Sequence, residues 1–200
     1  MVLVLTGISF FVAVILASTY AATKAPIEAT RIAKQQQALK EVLPPFDYLD
    51  EPVLIELKGV TLSVYKAFDN TNNFVGAAVE SFSKNGFSSE IKIMVGFDKE
   101  GQIVNYFVLE QQETPGLGTK MTYWFKPAVK AEKSLVEKLF GFEVKAVEKN
   151  SSVVGKNPGR NKLTVSKDGG EIDAITAATI SSRAFLEAIQ NAYEVFKKIN

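Results

Sequence analysis

Three regimes of hydrophobic and polar positions follow one another along the chain. In the first, MVLVLTGISFFVAVILASTYAAT, no side chain is charged from Met1 to Thr23, and the first charge is Lys24. A helix of that length rises by roughly 33 Å, enough to cross the hydrocarbon core of a bilayer. The run is long for a signal peptide and lacks a basic region ahead of it. It is therefore expected to be a retained transmembrane helix, residues 1–23, although Thr19-Tyr20-Ala21 has the small-x-small form of a cleavage site. The nearby charges, Lys24, Glu28, Arg31, Lys34 and Lys40, all follow the span. The positive-inside rule alone would put the C-terminal bulk in the cytoplasm; a basic tail upstream of Met1 would reverse that.

The second regime, residues 24–45, has the period of a helix. Ile27, Ala29, Ile32, Ala33, Gln36, Leu39 and Leu43 recur at helical spacing, Pro26 suits a first turn, and Pro44-Pro45 end the run. This is expected to be a juxtamembrane helix or stalk. Its apolar stripe is open to either a partner or the chain's own domain.

The third regime, residues 46–200, begins with a period near two. LSVYKAF, FVGAAVESF, EIKIMVGF and QIVNYFVLE read as strands separated by DNTNN, KNG and DKEG turns. Such short connections predict an antiparallel meander. Short helices are expected over Lys120–Phe125 and Glu132–Phe140, a late strand over NKLTVSKD, and a final amphipathic helix over Phe185–Ile199. The fold class is α+β: one N-terminal transmembrane helix, then a twisted antiparallel sheet with packed helices.

Composition narrows the chemistry. The 200 residues contain no Cys and no His, which excludes disulfides, Cys-ligated iron–sulfur or zinc sites, and the commonest general base. Lys+Arg number 23 against 22 Asp+Glu, a balance that argues against nucleic acid as a partner. Redox or acid–base work must rest on carboxylates, hydroxyls, lysines or an organic cofactor.

Two stretches carry candidate chemistry. QQETPGLGTKM, Gln111 to Met121, puts the Pro115-Gly116 turn and a second glycine, Gly118, at the end of a strand. Glycines let backbone approach a flat ligand closely, and Glu113 stands where strand becomes loop. A plain strand-to-helix turn would use the same residues. DAITAATISSRAF, Asp173 to Phe185, crowds Thr176, Thr179, Ser181 and Ser182 with Ala177 and Ala178 at the start of the last helix. One hydroxyl suffices to cap a helix. A helix N-terminus also suits a phosphate, so Thr179 is a candidate for a phosphoester, with Thr176, Ser181 or Ser182 as phosphate partners.

Taken together, these stretches resemble the FMN-binding domain family. Its flavinylation signature, approximately Asp-x-x-Ser/Thr-Gly-Ala-Thr, stands here as Asp173-Ala174-Ile175-Thr176-Ala177-Ala178-Thr179, and its Glu-Thr-Pro-Gly-Leu-Gly stands intact as Glu113 to Gly118. The resemblance covers the N-terminal span, the TKAPI exit, the stalk, the sheet and the terminal helix. It implies an FMN held through a phosphoester at Thr179, with Thr176 and Ser182 as phosphate partners. Glu113, Thr114, Gly116, Leu117 and Gly118 would line the ring, and Lys120 would set positive charge near it. Tyr123 and Trp124 are candidate stacking partners, although such aromatics are more often core.

The implied role is an electron-carrier subunit rather than a stand-alone catalyst. By the resemblance it would belong with the other membrane subunits of an Rnf-type ferredoxin:NAD oxidoreductase complex, or alternatively of a sodium-pumping NADH:quinone reductase. A separate flavin transferase, reading Asp173 among other residues, would perform the attachment. The soluble part would lie outside the cytoplasm on the plasma (inner) membrane. A cofactor-free anchored assembly or binding subunit is the reading from a different class. Two departures stand out. Ala177 replaces the family's usual Gly, a change that matters only if the backbone there has φ > 0, and attachment is expected to survive it. Gln111 and Gln112 occupy a stretch where a His is common.

Overall fold

The computed structural model describes residues 1–127 and 150–199. Contacts divide the chain into two compact units, Met1–Gln37 and Ala38–Asn200. The first helix, α1 (Val2–Val42), runs through the boundary, and Pro26 lies inside it rather than opening a new helix. It is the one described helix long and apolar enough to cross a membrane, with a mean hydropathy of 2.4 over its best window. Several of its hydroxyls are satisfied within the helix. Thr6, Ser18, Thr19 and Thr23 each donate to the carbonyl four residues back, at 2.7–3.0 Å. A polar side chain is tolerable in an apolar medium only on such terms.

In the second unit the strands are β1 (Tyr48–Leu49), β2 (Val53–Leu57), β3 (Val60–Phe68), β4 (Phe74–Ser83), β5 (Ile91–Asp98) and β6 (Ile103–Glu110). They form one antiparallel sheet in the order β1-β3-β4-β5-β6, with β2 also paired to β3. Register shifts in the β3–β4 and β5–β6 pairs add curl. The meander matches the sequence expectation. The β2–β3 hairpin is not among the expected elements. Its two-residue turn, Lys58-Gly59, has both residues at positive φ, and only Gly59 advertises it in the sequence.

Both faces of the sheet are covered, so β5 is buried at nearly every position instead of alternating. On one face Val64, Val79, Ile93, Val95, Phe97 and Tyr106 meet the last helix, α3 (Thr179–Phe196), through Phe185, Ile189, Ala192 and Phe196. Phe185 stacks on Phe125 and meets Tyr106 edge-on. On the other face Ala67, Ala78 and Met94 meet Ala38, Leu39 and Val42, the last turns of α1. The Val42 carbonyl comes so close to Gly96 that a Cβ there would have no room. Burial of each large side chain here is worth roughly 1.5–3 kcal/mol. The compact unit thus takes in the end of the 24–45 segment.

After β6 the chain makes a 3-10 turn (Gly118–Lys120) and the short helix α2 (Met121–Trp124), close to the Lys120–Phe125 expected. The helix expected over Glu132–Phe140 lies outside the described residues. The strand expected over NKLTVSKD does not form. Leu163 and Val165 are buried in alternation, which gives the period of two, but their neighbours bond locally. Ser166 N donates to Ile172 O at 2.8 Å and Glu171 N to Lys162 O at 3.1 Å, leaving one bridge, Val165 to Ile172, and a 3-10 turn over Ser166–Asp168. The last helix starts six residues earlier than its apolar stripe suggests, at Thr179.

Candidate functional site

The loop after β6 is built around a buried acid. Glu113 is 4% exposed. Its amide donates to Gln111 Oε1 at 2.7 Å, its Oε1 accepts the Ser88 amide at 3.1 Å, and its Oε2 accepts the Ser181 hydroxyl. Glu113 therefore turns inward, while Thr114, Gly116 and Leu117 face solvent. Pro115-Gly116 forms the turn that the sequence leads one to expect: Leu117 N donates to Thr114 O at 3.1 Å and Gly116 has φ +74°. Gly116 has open space where a side chain would be. Gly118 has none, since a Cβ there would lie 2.7 Å from both Glu113 Cβ and Ser181 Oγ. The two glycines of the motif thus do different things. One leaves the surface flat; the other lets the loop close on α3. Lys120 follows, half-buried, at the end of the 3-10 turn.

The second stretch is anchored at its start. Asp173 N donates to Asn150 O at 2.9 Å, its Oδ2 accepts Asn150 N at 3.0 Å, and its carbonyl accepts Trp124 Nε1 at 3.0 Å. Trp124 is accordingly half-buried, whereas Tyr123 is exposed. From Asp173 the chain turns through Ala177, at φ +63°. This is the left-handed region that the family's usual glycine would enter freely and that strains an alanine. The methyl at this position is therefore not neutral to the backbone.

The crowd of hydroxyls divides into two pairs. Ser182, fully buried, accepts from Ile175 N at 2.9 Å and donates to Ala178 O at 2.9 Å, which closes the turn from behind. Ser181, also buried, is committed to Glu113. Thr176 is exposed and Thr179 half-buried, and neither hydroxyl bonds to another described residue. Nor does any described side chain cap α3. Among the described residues, the helix opens with its first amides and two threonine hydroxyls free of side-chain partners, a ready anion site. The nearest guanidinium along the helix, Arg183, is held by Asp168 at 2.7 and 2.8 Å, and that pairing keeps the Asp168 carboxyl below its usual range.

Sequence reasoning finds Glu113, the glycines and the threonines, but misses Ser88 and Gly86 in the β4–β5 turn. A Cβ on Gly86 would lie 2.9 Å from Glu113 Oε1. Nothing in KNGFSS alone says that an acid will be seated against it. A cavity of about 450 Å³ lies along another side of α3, lined by Lys58, Leu163, Asp168, Arg183, Glu187 and Asn191. Thr179 and the Glu113–Gly118 loop are not part of it, and its charges of both signs single out no ionic ligand.

The residues fit a flavin mononucleotide. An uncapped helix start with unpaired hydroxyls suits the phosphate, and an exposed loop with one side chain-free position suits a flat ring. The model of the FMN-binding domain matches residues 86–194, from the β4–β5 turn into the last turn of α3. The chain belongs to the FMN-binding domain family. The match takes in both stretches and the Ser88 amide that meets Glu113. Beyond the domain, the chain is similar to proteins named as the G component of the ion-translocating oxidoreductase complex. It is 32% identical to that of Aliivibrio fischeri (strain ES114) over 192 residues, 90% of this chain and 80% of the relative. It is 30% identical to that of Salmonella typhi over 176 residues, covering 85% and 77%. With the Haemophilus influenzae (strain PittEE) protein it shares 28% over 183 residues, covering 88% and 79%.

Proposed function

We infer that this chain is a membrane-anchored electron-carrier subunit of an ion-translocating oxidoreductase complex and holds FMN through a phosphoester to Thr179. The observation that carries the reading is the start of α3: among the described residues it has no side-chain cap, and the Thr176 and Thr179 hydroxyls, on either side of a left-handed turn, have no partner. FMN, when bound, supplies reversible electron transfer that no side chain of this chain can supply. Thr179 provides the oxygen of the ester bond and Thr176 the nearest free hydroxyl for the phosphate. Ser182 shapes the turn that presents them. Thr114, Gly116 and Leu117 form the surface on which the ring rests, the buried Gly118 lets that loop close on α3, and Lys120 adds positive charge at its margin.

In forming the ester, Thr179 would supply the oxygen of the new O–P bond, the P–O bond to the group activating the flavin phosphate would break, and the hydroxyl proton would leave with that group. A separate flavin transferase carries out the step. Residues 1–23 form the span, 24–37 the stalk, and the end of α1 with the sheet and α3 the carrier domain, outside the cytoplasm on the plasma membrane. The chain has no native Cys. A single cysteine introduced by Asn70→Cys, at an exposed turn, should therefore react with a membrane-impermeant maleimide in intact cells; labelling only after lysis would refute that orientation. The decisive experiment is an intact-mass spectrum of the full chain from a host with the transferase. It should show one FMN added with loss of water, absent in Thr179→Ala. A bare wild-type chain would refute attachment.

A further inference from the structure

Three segments remote in sequence meet at the Glu113 carboxylate: the β4–β5 turn through the Ser88 amide, the glycine loop through Gly118, and the first turn of α3 through Ser181. One residue from each contact stands an exposed apolar side chain. Phe87, beside Ser88, is 65% exposed; Leu117, beside Gly118, is 36%; Ile180, between Thr179 and Ser181, is 48%. Outside α1 the other large apolar side chains this exposed, among the described residues, are Tyr48, Val53, Leu54 and Tyr123. A single exposed apolar residue needs no explanation. Three whose chain neighbours all meet one buried carboxylate call for one.

We propose that Glu113 is a positioning residue that holds Phe87, Leu117 and Ile180 as an apolar collar for the isoalloxazine ring of the flavin on Thr179. The inference rests on the attachment reading above. Phe87 offers an aromatic face and Leu117 and Ile180 aliphatic walls, while Gly116 leaves an open floor. Ile180 follows the attachment residue directly, so a ring tethered there starts beside the collar. Both Glu113 oxygens are taken by protein donors, so the carboxylate acts through the loops it joins and not by touching the ring.

The test uses the full flavinylated chain in detergent, with attachment confirmed by mass on each sample. Iodide quenching of flavin fluorescence and the visible circular dichroism of the flavin are measured for wild type, Phe87→Ala, Ile180→Ala and Glu113→Gln. Removing an exposed side chain leaves melting unchanged, so a purely structural role predicts no spectral effect. The collar predicts at least about twofold stronger iodide quenching in Phe87→Ala and Ile180→Ala. Glu113→Gln should alter the flavin dichroism in the same sense. Flavin attached but quenched equally in wild type, Phe87→Ala and Ile180→Ala would overturn the collar and leave the attachment standing. The collar is equally overturned if those variants keep wild-type quenching yet lose co-purifying membrane subunits, since the patch would then face a protein. A wild-type chain without flavin would remove both readings.

Discussion

Ser181 donates its hydroxyl to the buried carboxylate of Glu113, which ties the first turn of α3 to the loop after β6. The bond joins residues 68 positions apart in sequence. It makes the two family stretches one structure, with the hydroxyl that serves as the link lying two residues after the proposed attachment point.

Breaking this link should weaken the fold measurably. Ser181→Ala leaves Glu113 Oε2 buried without its donor, a loss of about 1–3 kcal/mol. Chemical denaturation of the full chain in detergent should show it. A midpoint unchanged from wild type would mean that water or another donor replaces the serine.

Ala177 invites the opposite change. At φ +63° an alanine is strained, whereas glycine is not. Ala177→Gly relieves the strain but gives the unfolded chain more freedom, for a net gain of about 0.5–1 kcal/mol. Melting should rise by a few degrees, roughly 2–4 °C per kcal/mol for a domain of this size. A lower melting temperature would show that the methyl makes contacts that outweigh the strain.

Acid should act through the β3–β4 turn. Asp69 accepts bonds from the Thr71 hydroxyl and from the Asn73 amide, and these hold its carboxyl down at about 2, below its ordinary 3.8. A group with a depressed folded pKa stabilises the fold above its unfolded pKa and loses that contribution as pH falls through the folded one. The turn's contribution should therefore be complete above about pH 4 and fade toward pH 2. Stability measured against pH for Asp69→Asn should lose that segment of the wild-type profile.

Trp124 is the chain's single tryptophan, bonded to the Asp173 carbonyl at the head of the attachment stretch. Flavins absorb where tryptophan emits. Indole emission should therefore be quenched in the flavinylated chain and recover in Thr179→Ala. Equal emission from both would place the flavin away from α2.

The sequence displays most of the sheet, because β3 to β6 are each long and joined by turns rich in Asn, Asp and Gly. The late strand over residues 161–168 fails for a physical reason: alternating burial of Leu163 and Val165 mimics a strand, yet a strand exists only where a partner edge is free. At the site, the candidate residues are legible as motifs, but their division of labour is not. Ser182 and Glu113 look like ligand contacts in sequence, and the structure gives both internal hydrogen-bond partners, because where a hydroxyl or carboxylate points depends on segments such as Ser88 that lie far away. For Ala177 the sequence supplies only a condition, that the methyl matters if φ is positive; the backbone meets it.

The closing turns of α1 have a practical bearing on any attempt to make the carrier without its anchor. Ala38, Leu39 and Val42 line one side of the sheet over Ala67, Ala78 and Met94. A recombinant fragment starting at Phe46 would be born with that side bare and greasy, prone to clump. Starting a few residues ahead of Ala38 keeps the lid on, so where the knife falls decides whether the fragment is a usable reagent or a precipitate.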